Sequence, residues 1–338
     1  MVTIKDVARD AGVSVGTVSN VLNGGRVSEA RRKLVEASIE KLGYQVNTLA
    51  KGMRMQKTDY VVVILPNLIN PYFALLLDAL ESELSAVGKQ VLLCLSGDDA
   101  EREVAFMDMA KQNKVDGIIG VTYSKVEEER IENMAFVSID RHYKSHIPCV
   151  AGDNWQGGWL AAENLHKRGS TNLLCFMTMS SVDSEVRKRR VGFTEYCMEH
   201  DLSCNSVEMS EKQIVSVYES YGSRKLIHNM LRAYISPSMG EHSIDGIFTS
   251  SDHLATIVRE ELEEMGKRVP EDIQIIGYDG LQFLNQGKPI VSSIAQPLHE
   301  IAKQAVKSLT DMIENGKAED VTNIPVTFHE GSTTKPLE

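Results

Sequence analysis

Residues 14–23 read SVGTVSNVLN, and their spacing sets two kinds of chemistry on opposite sides of one short helix. At 100° per residue Val18, Val21 and Leu22 share an apolar face. Gly16, Asn20 and Asn23 fall opposite, with Thr17 and Ser19 flanking. Amides and hydroxyls on such a face suit hydrogen bonding to base edges in a major groove, not bond making.

Residues for bond making are not organised to match. The chain contains no GxGxxG, GxxxxGK[ST] or HExxH pattern. Asp140, Asp252 and Asp279 suggest paired carboxylates, but nothing fixes them at a catalytic separation. The 9 histidines are scattered without ligand spacing, and the 5 cysteines (94, 149, 175, 197 and 204) contain no CxxC pair. An odd number of scattered cysteines fits reduced core thiols better than disulfides or a metal site. The expectation is a protein without enzyme activity, cofactor or metal.

The elements that position the polar face come next. Thr3 and Asp6 have the spacing of a capping box, and Val7, Ala8 and Ala11 then fall on one helical face. Gly12 supplies the bend that follows, and Ser14 caps the second helix. Helix, tight turn and outward polar helix make a helix-turn-helix. Ser28 is expected to cap a third helix with Ala30, Leu34, Ala37 and Leu42 on its apolar side and Gly43 at its end. The segment from 44 to 57 reads as a basic linker with a weak helical option, which Gly52 weakens by roughly 1 kcal/mol against Ala.

Charge supports that division. Residues 1–57 hold ten Lys/Arg against five Asp/Glu, whereas the remainder holds 26 against 42, inside a net charge of −11. A basic head on an acidic body favours a polyanion at the head. No run of 18 apolar residues is present and the N-terminus has no apolar core of a signal peptide, so a cytoplasmic protein without a membrane span is expected.

From Tyr60 onward apolar runs alternate with amphipathic stretches. Strands are expected at 61–65, 91–95, 117–121 and 136–139, then at 173–177, 244–248 and 273–277, with a last strand near 321–328. Helices lie between them, at 71–87, 99–113, 155–167, 187–200 and 252–265. Apolar runs without in-and-out alternation, separated by helices, are buried parallel strands of a doubly wound α/β fold. Two such series imply two lobes with a cleft, and ligands of open α/β sheets sit off the carboxyl ends of the strands.

These segments, in order, resemble the LacI/GalR family of bacterial transcriptional regulators, the lac and purine repressor family. The motifs are TIKDVARDAGVSVGTVSNVLNG, AKGM in the hinge, NPYF at 70–73, VDGII at 115–119 and DNWQGG at 153–158. TSSDHLA at 249–255, VPEDIQIIGYD at 269–279 and QP at 296–297 complete the set, which spans essentially the whole chain. The resemblance implies an all-α helix-turn-helix head (1–45), a hinge helix (46–58), and a two-lobed body like that of periplasmic binding proteins (59–338).

It also implies partners and roles. The partners are a double-stranded DNA operator, a second copy of the chain, and a small-molecule effector, most naturally a sugar or derivative. Val15, Gly16 and Asn20 match base-reading positions, where Asn20 suits adenine and Val15 a thymine methyl. Thr3, Ser14, Thr17 and Ser19 match phosphate-positioning or capping sites, and Arg26 matches an arginine of the purine-repressor branch. Asn47 can cap the hinge helix, and Met53 stands where the family carries a minor-groove wedge. Effector contacts align with Asn70, Tyr72, Phe73, Arg189, Asp252 and Asp279, with Asp140, Arg141 and Tyr218 added. Each has a structural alternative: Asp252 and Asp279 as helix caps, Tyr72 and Phe73 as core, Arg189 as solvated surface. Asp183 and Glu185 stand where purine-binding members differ, which argues against a purine. The alternatives in function are a catabolite-type regulator with a protein or sugar-phosphate effector, and a sugar-binding receptor without a DNA role.

Overall fold

A computed structural model describes residues 2–22, 24–44, 58–125, 131, 134–143, 146–179, 182, 184–235, 243–281, 284–285 and 288–337. Asn23, Asn47, Met53, Asp183 and the expected hinge helix lie outside the described residues. The chain divides into two compact units, Met1–Thr58 and Asp59–Glu338.

The first unit is three helices: α1 (Ile4–Asp10), α2 (Val15–Leu22) and α3 (Glu29–Leu42). Thr3 and Asp6 form the expected capping box, with the Asp6 backbone N–H donating to the Thr3 hydroxyl oxygen and the Thr3 backbone N–H donating to the Asp6 carboxylate. Gly12 turns the chain at φ +65°, a conformation costly for any residue bearing a Cβ. Val7, Ala8, Ala11, Val18, Val21 and Val35 form the buried core. Each fully buried valine contributes about 1.5–3 kcal/mol of transfer free energy.

The third helix corrects an expectation. Ala30, Leu34 and Ala37 are exposed, and Leu34 retains 55% of its accessible surface. The inward face is Val35 with Ser38, joined by partly buried Ile39 and Leu42. Both stripes have helical spacing along the sequence; packing against α1 and α2 selects the one carrying the β-branched residues. Ser28 occupies the N-cap position but its side chain makes no capping bond.

The second unit carries two six-stranded sheets. The first sheet contains β1 (Tyr60–Leu65), β2 (Gln90–Leu95), β3 (Gly117–Gly120), β4 (Phe136–Ile139), β5 (Cys149–Gly152) and β13 (Val321–Ile324), in the order β13-β5-β4-β3-β1-β2. The second contains β6 (Asn172–Met179), β7 (Ser203–Ser210), β8 (Gly246–Thr249), β9 (Gln274–Asp279), β12 (Ser292–Ala295) and β14 (Thr327–His329), in the order β14-β12-β9-β8-β6-β7. A two-stranded ribbon, β10 (Leu284–Asn285) with β11 (Lys288–Pro289), stands apart from both. All pairings in the two large sheets are parallel except β12 with β14.

Helices cover both sheets: α4 (Pro71–Ala86), α5 (Ala100–Gln112) and α11 (Leu298–Asn315) on the first, and α6 (Asn154–Lys167), α7 (Arg187–Glu199), α8 (Glu211–Glu219), α9 (Lys225–Arg232) and α10 (Asp252–Glu264) on the second. This burial on both faces explains why Val61–Leu65 read as an uninterrupted apolar run.

The chain passes between the lobes three times, at Asp153, at Gln296–Pro297 and at Pro325–Val326. The last passage corrects the single strand expected near 321–328. Pro325 has no N–H for a ladder bond. It separates β13, which pairs with β5 in the first sheet, from β14, which pairs with β12 in the second.

Candidate functional sites in the head and the cleft

In the head, the Ser14 hydroxyl oxygen accepts from the Thr17 backbone N–H at 3.1 Å and shares a hydrogen bond with the Thr17 hydroxyl at 3.0 Å. Residues 12–16, GVSVG, also spell the GxSxG pattern of a nucleophile elbow. That elbow requires a strand before the serine, whereas Ser14 stands between two helices and caps the second. Gly16 and Asn20 are exposed on α2, while Val15, Thr17 and Ser19 are half-buried beside them. The Asn20 side chain makes no hydrogen bond among the described residues. The Asn20 backbone carbonyl accepts from the Gly25 N–H at 2.8 Å, which closes the turn after α2. Arg26 is exposed, and Thr3 is occupied with its capping box. Lys5, Arg26, Arg31 and Lys33 are exposed without an ion pair among the described residues, whereas Arg9 pairs with Asp6 and Lys41 with Asp10.

In the body, a cleft between the two sheets encloses about 740 Å³ of empty space, its open mouth included. Asn70, Tyr72, Phe73 and Asp140 reach it from the first lobe, and Arg189, Tyr218 and Asp279 from the second. The first wall is set by α4. Asn70 caps it, its side-chain oxygen accepting from the Tyr72 N–H at 3.1 Å, which fixes the first turn. Tyr72 and Phe73 then meet edge to face, ring centres 5.4 Å apart, and belong to both the lobe core and the cleft wall.

Asp140 follows β4 and Asp279 is the last residue of β9, and both adopt positive φ, 60° and 112°. A left-handed residue at a strand end turns its side chain out of the pleat, at a cost that recurs at functional sites. Arg189 lies between them, only 4% exposed. Its Nε donates to Asn154 Oδ1 at 2.6 Å, one terminal nitrogen donates to the Ser250 carbonyl at 2.8 Å, and its guanidinium lies 3.5 Å over the Tyr278 ring. It is therefore not solvated surface. Gln296 Nε2 donates to Asp279 Oδ1 at 2.9 Å. Burial pushes the Asp279 carboxyl up to about 7, against the opposing pull of Arg189 and of the hydrogen bond from Gln296. Burial likewise raises Asp140, opposed by Arg189 and Asn154. Tyr218 stacks on His253 with centres 3.9 Å apart and shares a hydrogen bond with Ser251 at 3.0 Å.

Two candidates do not reach the cleft wall. Arg141 is buried behind it, donating to Thr122 Oγ1 and the Ser124 carbonyl and lying over the Tyr143 ring. Asp252 begins α10, whose cap is Ser251, and accepts from the Leu281 N–H at 2.6 Å, so it holds the turn that carries Asp279. Conversely, Tyr123, Thr178, Ser184, Arg187 and Ser250 line the cleft without having been singled out. Tyr123, Thr178 and Ser250 stand at or just past strand ends, the signal that could have found them.

Residues 3–47 match the family model of bacterial regulatory proteins, lacI family, and residues 162–334 match that of the periplasmic binding protein-like domain. The sucrose operon repressor of Pediococcus pentosaceus is 32% identical over 334 residues, covering 98% of each chain. The ribose operon repressor of Bacillus subtilis is 31% identical over 338 residues, covering 99% of each. This chain belongs to the lacI family. The regulator also shares its fold with the lac repressor dimer bound to operator, at TM-score 0.80, 22% identity and coverage of 98% of this chain and 99% of that one. A periplasmic binding protein/LacI regulator from Alkaliphilus metalliredigens, solved with D-xylulofuranose, matches at TM-score 0.69 and 25% identity over 82% of this chain and all of that one. The protein is thus a DNA-binding transcriptional regulator, and its named relatives are repressors rather than enzymes. No described helix is long and apolar enough to cross a membrane.

Proposed function

We propose that this regulator is a cytoplasmic, homodimeric repressor whose operator affinity is set by a neutral sugar in the cleft. Residues 1–45 act as the reading head, 46–58 as the hinge, and 59–338 as the effector and dimerisation body. α2 enters the major groove with Val15, Gly16 and Asn20 toward the bases, while Ser14, Thr17, Ser19 and Arg26 position the backbone.

The observation that carries the effector assignment is the set of buried polar atoms at the cleft wall. Tyr72 Oη, Ser184 Oγ and Asp279 Oδ2 are buried without a hydrogen-bond partner among the described residues. Buried polar groups are almost always satisfied in native complexes, so these three mark where ligand hydroxyls sit. Carboxylates bond vicinal hydroxyls and the Tyr72 and Phe73 rings face apolar C–H groups, which together suit a polyhydroxylated ring. An effector that binds two lobe arrangements unequally shifts operator affinity 5- to 150-fold, equivalent to about 1–3 kcal/mol of coupling.

Thermal shift against neutral sugars, sugar phosphates and nucleobases tests this. Ligand at 100 times its Kd adds about 2.7 kcal/mol to the native state. A neutral sugar is expected to raise the melting temperature, and Arg189→Ala to remove that rise relative to its own unliganded melt. Flat curves across the panel would remove the sugar assignment and favour a protein effector.

Gly16 tests the head. A Cβ there would meet only Ser14 Oγ, at 3.7 Å, so Gly16→Ala fits the folded head without strain. Alanine should stabilise an exposed helix position by roughly 0.5–1 kcal/mol. Operator affinity is nevertheless expected to fall about tenfold (~1.4 kcal/mol), because the added methyl obstructs the approach of α2 to the bases. Fluorescence anisotropy on an operator fragment, beside a melting curve, separates the two; unchanged affinity would show that Gly16 stands clear of the DNA.

A further inference from the structure

We propose that Lys89 is a positioning residue for operator binding. By tying Asp59 to Asp116 it fixes the direction in which the chain leaves the body toward the head, and so the half-site spacing that the regulator accepts. The inference rests on the dimeric reading.

Asp59 is the first residue of the second unit and immediately precedes β1, which lies inside the first sheet between β3 and β2. An extended backbone there would carry the chain straight on from β1. Asp59 is instead left-handed, at φ +59°, so the chain turns at that residue. The conformation is costly for most residues bearing a Cβ, and two bonds hold it. The Asp59 carbonyl accepts from the Gln90 N–H at 2.7 Å, and its carboxylate accepts from Lys89 Nζ at 3.1 Å.

The same ammonium donates to Asp116 Oδ2 at 2.5 Å. The Asp116 side chain is 3% exposed, against 65% for that of Asp59, so one end of the bridge is sunk in the protein and the other stands at the surface. The Asp116 N–H donates to the Tyr60 carbonyl at 2.9 Å. Asp59, Lys89 and Asp116 thus precede three adjacent strands, β1, β2 and β3, and one cation gathers them. An exposed ion pair adds little stability. Here the buried carboxylate has already ordered the lysine, which leaves its outer donor as a fixed point for Asp59. One base pair moves a half-site by about 3.4 Å and turns it by about 35°. Chains that leave two bodies in a fixed direction match one spacing; chains with a loose root match several.

Fluorescence anisotropy with the full chain decides this. The probes are the duplex that the parent selects most tightly from a randomised pool and the same duplex with its half-sites one base pair nearer or farther apart. The parent is expected to prefer the selected spacing by at least about tenfold. Asp59→Gly removes the exposed anchor, and glycine accepts the left-handed backbone without strain. Lys89→Met combined with Asp116→Asn removes both buried charges together, leaving neither unpaired. Each should narrow the preference to within about threefold, and Asp59→Gly should melt as the parent does. A uniform loss of affinity at all three spacings, or no change, would overturn the inference. So would relaxation by Asp59→Gly that the folded double variant does not share, or a parent indifferent to spacing. A parent that selects only a single half-site would remove the dimeric reading and the inference with it.

Discussion

At pH 8, Asp279→Asn is expected to melt higher than the parent regulator and to lose its response to ligand. Asp279 is almost fully buried, and burial lifts its carboxyl to about 7 from an ordinary value of 3.8. The sign follows from proton counting. Between those two values the folded state holds a proton that the unfolded chain has released, so the stability it contributes is present below pH 4 and lost as pH rises to about 7. A shift of this size is on the order of 4 kcal/mol. Asparagine has the same shape and still offers an oxygen to Gln296 Nε2, but never ionises. The gap between variant and parent should therefore be near zero at pH 4 and widen up to about pH 7. A gap that does not change with pH would show that Asp279 titrates as an ordinary carboxyl. Ligand binding should follow the opposite course. Parent affinity should rise toward pH 7 as the carboxylate forms. The variant should bind 10- to 100-fold more weakly, consistent with about 1.5–3 kcal/mol for a hydrogen bond to a charged group.

Gly158→Ala is expected to cost more than 3 kcal/mol and to misplace Arg189. A Cβ at position 158 would lie 1.8 Å from the Arg189 carbonyl oxygen, and one at 192 would lie 2.0 Å from the Trp155 carbonyl oxygen. The two helices α6 and α7 therefore cross backbone to backbone, each through the other's glycine. Overpacking a core costs typically 1–3 kcal/mol when side chains can yield; here the obstacle is main chain, so the helices must part. Arg189 donates from α7 to Asn154 at the start of α6, and parting the helices stretches that bond. Calorimetry should show a lower melting temperature, at roughly 2–4 °C per kcal/mol for a unit this size, together with weakened ligand binding. A loss below 1 kcal/mol, with ligand affinity intact, would mean that the crossing does not set the site.

The head was legible because its signals are local. Thr3 with Asp6, Gly12 and Ser14 each act within one turn of chain, and all four do what their spacing implies. The strands were legible for a related reason, since burial on both faces leaves unbroken apolar runs such as Val61–Leu65. Selection between equivalent patterns was not legible. In α3 the stripes through Leu34 and through Val35 have the same period, and only contact with α1 and α2 chooses between them. Likewise 321–328 has the composition of one strand, and Pro325 carries no mark saying that its two sides enter different sheets.

The cleft divides the same way. The types of its key residues, Tyr72, Phe73, Arg189 and Asp279, stand in recognisable segments, and the structure gathers them. Asp252 and Arg141 show what spacing alone leaves out: an acidic or basic residue beside a strand end can point to ligand or to backbone, and both of these hold backbone. By itself, the sequence determined the helix-turn-helix, the two α/β series and the family, because periodicity, capping and motif order are written along one dimension. Only the tertiary structure decided which carboxylates face the cleft, where the chain changes lobes, and that α6 and α7 cross backbone to backbone at Gly158 and Gly192. Those depend on contacts between residues far apart in the chain, whose geometry exists only after packing has excluded the alternatives.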